Sequence, residues 1–189
     1  MRPRATLALF SALPACQRIS SDEAALVLDG TWEISRDVQQ ESLDLVFEAV
    51  AGKSLVLTTE DEGYSVVGTV AGGEGWQGAA DVSGTATYGN GTYSLDLSVV
   101  LVDAYVGASD LWLDGPMELG LVWEEPVGGT TGAYTLTYSV GGVIAVDGSA
   151  KGEADLNYQV VLDHDGTSST FAVSGDIDGH VLTSLSGAD

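Results

Sequence analysis

Tyr93-Ser94-Leu95-Asp96-Leu97-Ser98-Val99 sets an apolar side chain at every second position and a polar one between. Successive side chains of a β-strand point to opposite faces, so this stretch reads as a strand with one dry face and one wet face. The same alternation returns at Tyr134, Leu136, Tyr138 and Val140, set against Thr135, Thr137 and Ser139. It returns again at Leu156, Tyr158, Val160 and Leu162, set against Asn157 and Gln159.

Turn dipeptides punctuate the chain: Asp29-Gly30, Gly72-Gly73, Asn90-Gly91, Asp114-Gly115, Gly128-Gly129, Asp147-Gly148, Asp165-Gly166 and Asp178-Gly179. Such pairs supply the positive φ of tight hairpins. The spacing predicts about 10 to 12 strands and an antiparallel barrel, with a β-sandwich as the alternative. Glycines inside strand patterns (Gly68, Gly78, Gly84, Gly120 and Gly141) mark bulges or sharp coiling. Helix signals are nearly absent. Residues 38–46 have room for a turn or two, but Leu43-Asp44-Leu45-Val46-Phe47 suits a strand better. The residues expected in the core are Trp32, Leu45, Phe47, Leu57, Tyr93, Leu95, Leu97, Leu121, Trp123, Leu136, Tyr138, Tyr158, Val160 and Phe171.

The chain opens MRPRATLALFSALPA and then Cys16, its one cysteine. Arg2 and Arg4 form a positive n-region, residues 5–13 a short apolar h-region, and Ala15 is the small residue before a cut. Leu13-Pro14-Ala15-Cys16 resembles the lipobox of bacterial lipoproteins. The resemblance implies that the peptide is removed before Cys16 and that Cys16 is acylated. The protein would then hang from a membrane by palmitate-type chains. Gln17, where that family often has Asp for inner-membrane retention, leans towards the outer membrane. The h-region is too short to span a bilayer, which takes about 20 apolar residues. With one thiol, no disulfide forms within the chain. The expected organisation is a signal peptide over 1–15, a lipidated tether over 16–28 and one antiparallel β domain over 29–189, monomeric. That length is enough for a core that folds unaided.

The chain has 28 Asp and Glu against 6 Lys and Arg, a formal net charge of −22. Losing Arg2 and Arg4 with the signal peptide leaves −24. Nucleic acid binding needs clustered Lys and Arg, so it is excluded as a partner. Anionic headgroups are repelled too, which leaves the acyl chains on Cys16 as the membrane contact. The acids alternate with apolar residues, as solvated strand faces do. Attraction of a basic partner is the functional reading of the same charge.

Asp29-Gly30-Thr31-Trp32 at the expected first strand is similar to the G-x-W motif of lipocalin-like barrels. That resemblance implies Trp32 closing the base of a barrel around a small hydrophobic ligand. No later Thr-Asp-Tyr motif and no C-terminal Arg accompany it.

Two segments carry the only histidines: Asp163-His164-Asp165-Gly166 and Asp176-Ile177-Asp178-Gly179-His180. His and carboxylate suit zinc and other divalent metals, which makes Asp163, His164, Asp165, Asp176, Asp178 and His180 weak metal candidates. The nine residues 169–177 between the turns span about 30 Å as a strand, which sets the two groups at opposite ends. Both lack the downstream Glu of a calcium loop. No cofactor motif is present. No G-x-S-x-G occurs, and Cys16 is committed to the anchor. Glu60-Asp61-Glu62 and Glu124-Glu125 are the densest acid clusters, but strand neighbours point apart and make poor hydrolytic pairs. The sequence points to a membrane-anchored envelope lipoprotein with a non-enzymatic binding or structural role. Two alternatives stay open: a carrier of a small hydrophobic ligand, and a carboxylate-dependent hydrolase.

Overall fold

The computed structural model describes residues 18–48, 55–60, 63–89, 91–124, 132–182 and 187–188. Cys16 and the rest of 1–17 lie outside them, as does Gly128-Gly129. The described chain opens with one helix, α1 (Ser21–Glu48). An antiparallel meander follows: β1 (Leu55–Glu60), β2 (Gly63–Ala71), β3 (Trp76–Gly89), β4 (Thr92–Val106) and β5 (Leu111–Glu124). It continues through β6 (Tyr134–Gly148), β7 (Gly152–His164), β8 (Ser169–Ile177), β9 (His180–Val181) and β10 (Gly187–Ala188). The fold is all-β in one sheet, ordered β1 to β8 and then β10, with β9 paired to β8. The sheet does not close on itself: among the described residues β1 pairs only with β2 and β10 only with β8.

The alternation read from the sequence is seen in β4 and in β7 up to Val160, whereas Tyr134 to Ser139 of β6 are half-buried on both faces. Tyr93, Leu95, Leu97, Val99 and Leu101 of β4 are buried, while Asp96, Ser98 and Val100 between them are exposed. The buried faces of the strands meet α1, which contacts β1 to β5 and β8. Neighbouring residues of α1 reach different parts of the strand order: Trp32 packs on Tyr138 of β6, and Glu33 lies beside Gly75 at the entry to β3. A sheet that curls about the helix brings these strands to it together. The curl has local causes. Register slips between Gln77 and Ala79, where Gly78 adopts φ +104°, and again between Leu101 and Ala104, opposite Gly115 at φ +118°. A Cβ on Gly78 would overlap the Asp103 backbone, so a side chain there has no room.

The expected absence of helix is corrected by α1, and the expected tether boundary at 28/29 falls inside that helix. Asp29-Gly30 is helical rather than a turn, and Asp114-Gly115 lies within β5. Gly72-Gly73, Asp147-Gly148, Asp165-Gly166 and Asp178-Gly179 do mark chain reversals, and Gly91 opens the turn into β4. Asp178 and Gly179, at φ 53° and 81°, form the two-residue hairpin that such a pair favours. Of the expected core, Tyr93, Leu95, Leu97, Leu121, Tyr158 and Val160 are buried. Trp32, Trp123, Leu136 and Tyr138 are half-buried against the core, and Phe171 is exposed. The side chains of Leu45, Phe47 and Leu57 lie outside those described.

Helix formation follows from residues that read at first as tether. Ser20 and Glu23 form a reciprocal cap: the Ser20 N–H donates to Glu23 Oε2 at 2.7 Å, and the Glu23 N–H donates to Ser20 Oγ at 3.4 Å. These backbone and hydroxyl donors hold the Glu23 carboxyl below its ordinary range. Beyond the cap, Ala24, Val27, Thr31, Ile34, Ser35, Val38, Gln39 and Ser42 recur at helical spacing and are all buried. Gly30 sits where α1 crosses β5. A Cβ there would come within 3.3 Å of Leu111 and 3.4 Å of Leu113, so its absence lets the helix approach closely.

Candidate functional site

The inner face of the curl carries a polar seam. Thr31, Ser35, Gln39 and Ser42 are fully buried on the sheet side of α1. Thr31, Ser35 and Ser42 donate their hydroxyls to carbonyls four residues back, at 2.6 to 2.8 Å. Thr31 Oγ1 also shares a hydrogen bond of 2.9 Å with Tyr158 Oη on β7. Burial pushes the Tyr158 hydroxyl well up from its ordinary value, offset in part by Thr31 and Ser35. Gln39 Nε2 donates to the Gly120 carbonyl on β5 at 2.9 Å. These bonds set the register of the helix against the sheet. The inner face is thus taken up by α1 and its contacts.

Trp32 is on the helix, not on a first strand, and packs edge-to-face on Tyr138 with centroids 5.2 Å apart. The barrel-base role expected for it is corrected accordingly. A different tryptophan ties the helix to the sheet: Trp76 is buried at the start of β3, and its indole N–H donates to Asp37 at 3.1 Å.

The two histidine segments lie at opposite ends of β8. At one end, His164 pairs with Ser169 across β7 and β8, with Nδ1 3.0 Å from Ser169 Oγ. Its ring stacks on Tyr134 at 5.0 Å. Asp165 organises the following turn by accepting from the backbone N–H groups of Thr167 and Ser168, at 2.8 and 2.9 Å. These donors hold its carboxyl far below the usual carboxylate range. Asp163 accepts from Thr135 at 2.8 Å. Tyr134, Thr135, Asp163, His164, Asp165 and Ser168 line a surface hollow of about 210 Å³.

At the other end, the β8–β9 hairpin clasps the chain entering α1. His180 Nε2 lies 2.8 Å from the Ile19 carbonyl, and Asp178 accepts from the Ile19 N–H at 3.2 Å. Asp176 caps the same hairpin through the Gly179 N–H. The neighbouring Arg18 bridges in parallel to Glu153 of β7. All six metal candidates therefore have protein partners: Asp163 and His164 across the ladder, Asp165 and Asp176 in turns, and Asp178 and His180 at Ile19. Among the described residues no group of three His, Cys, Asp or Glu converges. Of the acid clusters, Asp61, Glu62 and Glu125 lie outside the described residues.

Four acids of the outer face pair with a hydroxyl or amide directly across the ladder. Thr69 with Asp81, Ser98 with Glu118, Thr135 with Asp163 and Asn157 with Asp176 are register partners joined by hydrogen bonds of 2.7 to 3.4 Å. A second hollow, of about 290 Å³, crosses β4 to β7 over Gly120 and Gly141, where two side chains are missing from this face. Sequence reading missed the clasp at Ile19 and the helix seam. Ser20-Ser21-Asp22-Glu23 was the available signal for α1. Among the described residues no helix is long and apolar enough to cross a membrane. Compared with protein-family models, curated proteins and solved structures, the chain matches none.

Proposed function

We propose that this chain is an exported lipoprotein of the cell envelope, anchored through acyl chains on Cys16, with a non-enzymatic binding or structural role carried by its outer surface. The observation that carries the anchor is Leu13-Pro14-Ala15-Cys16, with Cys16 the one cysteine among 189 residues, behind a basic n-region and a short apolar h-region. The reach also suits it: Arg18, two positions on, is bridged to Glu153, and Ile19 is clasped by Asp178 and His180. An anchored chain held this way leaves little slack between acyl group and sheet. The preference for the outer surface rests on α1, which fills the inner face that a carrier would keep for its ligand. Gly30-Thr31-Trp32, the ground for a carrier, is helical. The outer membrane is the proposed destination, on Gln17.

The anchor is tested by fractionating cells that express Cys16→Ser. We expect the wild type in the membrane pellet, labelled by radioactive palmitate, and the variant released and unlabelled. An unlabelled wild type, with the variant still in the pellet, sinks the proposal. Native mass spectrometry of the released variant tests the surface role: co-purifying lipid in stoichiometric amount would restore the carrier.

A further inference from the structure

Beside the β4–β5 turn, the outer face carries an aromatic pair that no element among the described residues covers. Tyr105 and Trp112 are register partners on β4 and β5, with ring centroids 4.8 Å apart and planes tilted by 36°. Trp112 is 49% exposed. Further along the same face, Val100 and Val143 are exposed at 46% and 50%, flanking Pro116 on β5. Exposed apolar groups gathered on one face of a soluble domain mark an interaction surface more often than scattered ones do. Trp and Tyr are also the side chains that most often carry binding energy.

The surroundings of the pair specify the partner's charge. Asp147 is the register partner of Trp112 on its other side, and Asp114 follows two residues along on the same face. Asp103, at φ 49°, is turned out by the β4 bulge. Tyr105 Oη donates to Asp110 at 3.1 Å, and that carboxylate raises the tyrosine's pKa. One base, Lys151, offsets this group through Asp147 at 3.4 Å. A ring face with carboxylates at its edge attracts a cation twice, by its quadrupole and by charge. The same charge disfavours the other occupants. A second copy would bring another net charge of −22 against these acids, and anionic polymers and headgroups are repelled alike.

We infer that the Tyr105–Trp112 face is a docking site for a basic segment of a partner protein, with an Arg or Lys seated on Trp112 and apolar neighbours on Val100 and Val143. The inference deepens the surface-binding role proposed above and does not depend on the anchor. Arg is the better fit, since a planar guanidinium stacks on the indole while bonding to a carboxylate.

The test uses the full chain and a short synthetic peptide alternating Arg and Leu, with a Glu–Leu peptide as control, at physiological ionic strength. The Arg peptide should bind, protect Trp112 from acrylamide quenching, and be displaced by salt. Trp112→Ala should weaken binding roughly three- to fivefold. Asp114→Asn should weaken it as well. Phe171→Ala and Asp96→Asn, which remove an exposed aromatic and an acid elsewhere on the sheet, should leave it unchanged. Because Trp112 is half-exposed, its truncation leaves the core intact, and circular dichroism checks this. Equal losses for Asp114→Asn and Asp96→Asn with none for Trp112→Ala would mean diffuse attraction and overturn the site. So would protection of Trp112 by phosphatidylcholine vesicles and not by the peptide, which would make the face a membrane seat. A pelleted Cys16→Ser protein would remove the anchor and leave these binding results standing.

Discussion

Tyr158 shows at one residue how the fold treats polar groups. Its hydroxyl is buried yet bonded to Thr31, because a buried hydroxyl without a partner costs about 1 to 3 kcal/mol. Tyr158→Phe removes one side of that bond, and Thr31 keeps the Val27 carbonyl as acceptor. The expected loss is therefore only about 1 kcal/mol, read as a lower urea midpoint at unchanged slope. Tyr158 and Tyr93 also predict an alkaline limit. Burial raises both hydroxyls above the ordinary value of 10.0. The folded state therefore holds their protons longer than the unfolded state does. The stability they contribute is complete below pH about 10 and is lost as pH rises beyond it. Phenolate absorbance should appear in two stages, the later one coinciding with loss of the β signal in circular dichroism. Titration of all tyrosines in a single early stage, with the fold intact, would refute this.

The elements differ in how plainly the sequence announces them. β4 is legible because its two faces meet different solvents, and Asp178-Gly179 is legible because few other pairs adopt two positive φ values. α1 was hidden because half of its buried face is polar: Thr31, Ser35 and Ser42 donate to carbonyls of the helix itself, Thr31 also meets Tyr158 and Gln39 donates to Gly120, so the apolar period is blurred. Asp29-Gly30 added a false turn, since Gly30 is there for close packing on Leu111 and Leu113 rather than for a left-handed turn. The site fared the same way. The acids of 163–165 and 176–178 were visible and their turn bonds are local, but the bond of Asp163 to Thr135 and the Ile19 clasp depend on tertiary contacts. Two substitutions separate cap from seat. Ser20→Ala should cost about 1 kcal/mol by loss of the cap. Gly30→Leu should cost about 1 to 3 kcal/mol by overpacking against β5, although leucine is the better helix former. Thermal melts of the two variants check the order, and a stabilised Gly30→Leu protein would contradict the seating of α1.

At the scale of the whole molecule, charge sets the conditions under which this packing holds. A chain with net charge −22 repels itself when compact, and cross-strand partners such as Ser98–Glu118 bond to single acids without neutralising them. Salt shortens the range of that repulsion from about 10 Å at 0.1 M to about 3 Å at 1 M. The melting temperature should therefore rise as sodium chloride is added over that range. Lowering the pH tests the same term with a different limit. Protonating ordinary carboxylates near pH 4 relieves repulsion and favours the folded state. Asp165, Asp147 and Glu23 oppose that gain, because backbone and side-chain donors hold them below the ordinary value. Their contribution is present above the unfolded pKa of about 4 and is lost as pH falls through the lower folded values. Stability at low salt should therefore pass through a maximum on the acid side of neutrality. In 1 M salt the rise towards that maximum should flatten, since only the long-range repulsion is screened, while the loss at lower pH should remain. Thermal melts across pH at the two salt concentrations check both arms. A melting temperature that falls with salt at pH 7 would show that specific ion pairs, rather than self-repulsion, dominate this surface.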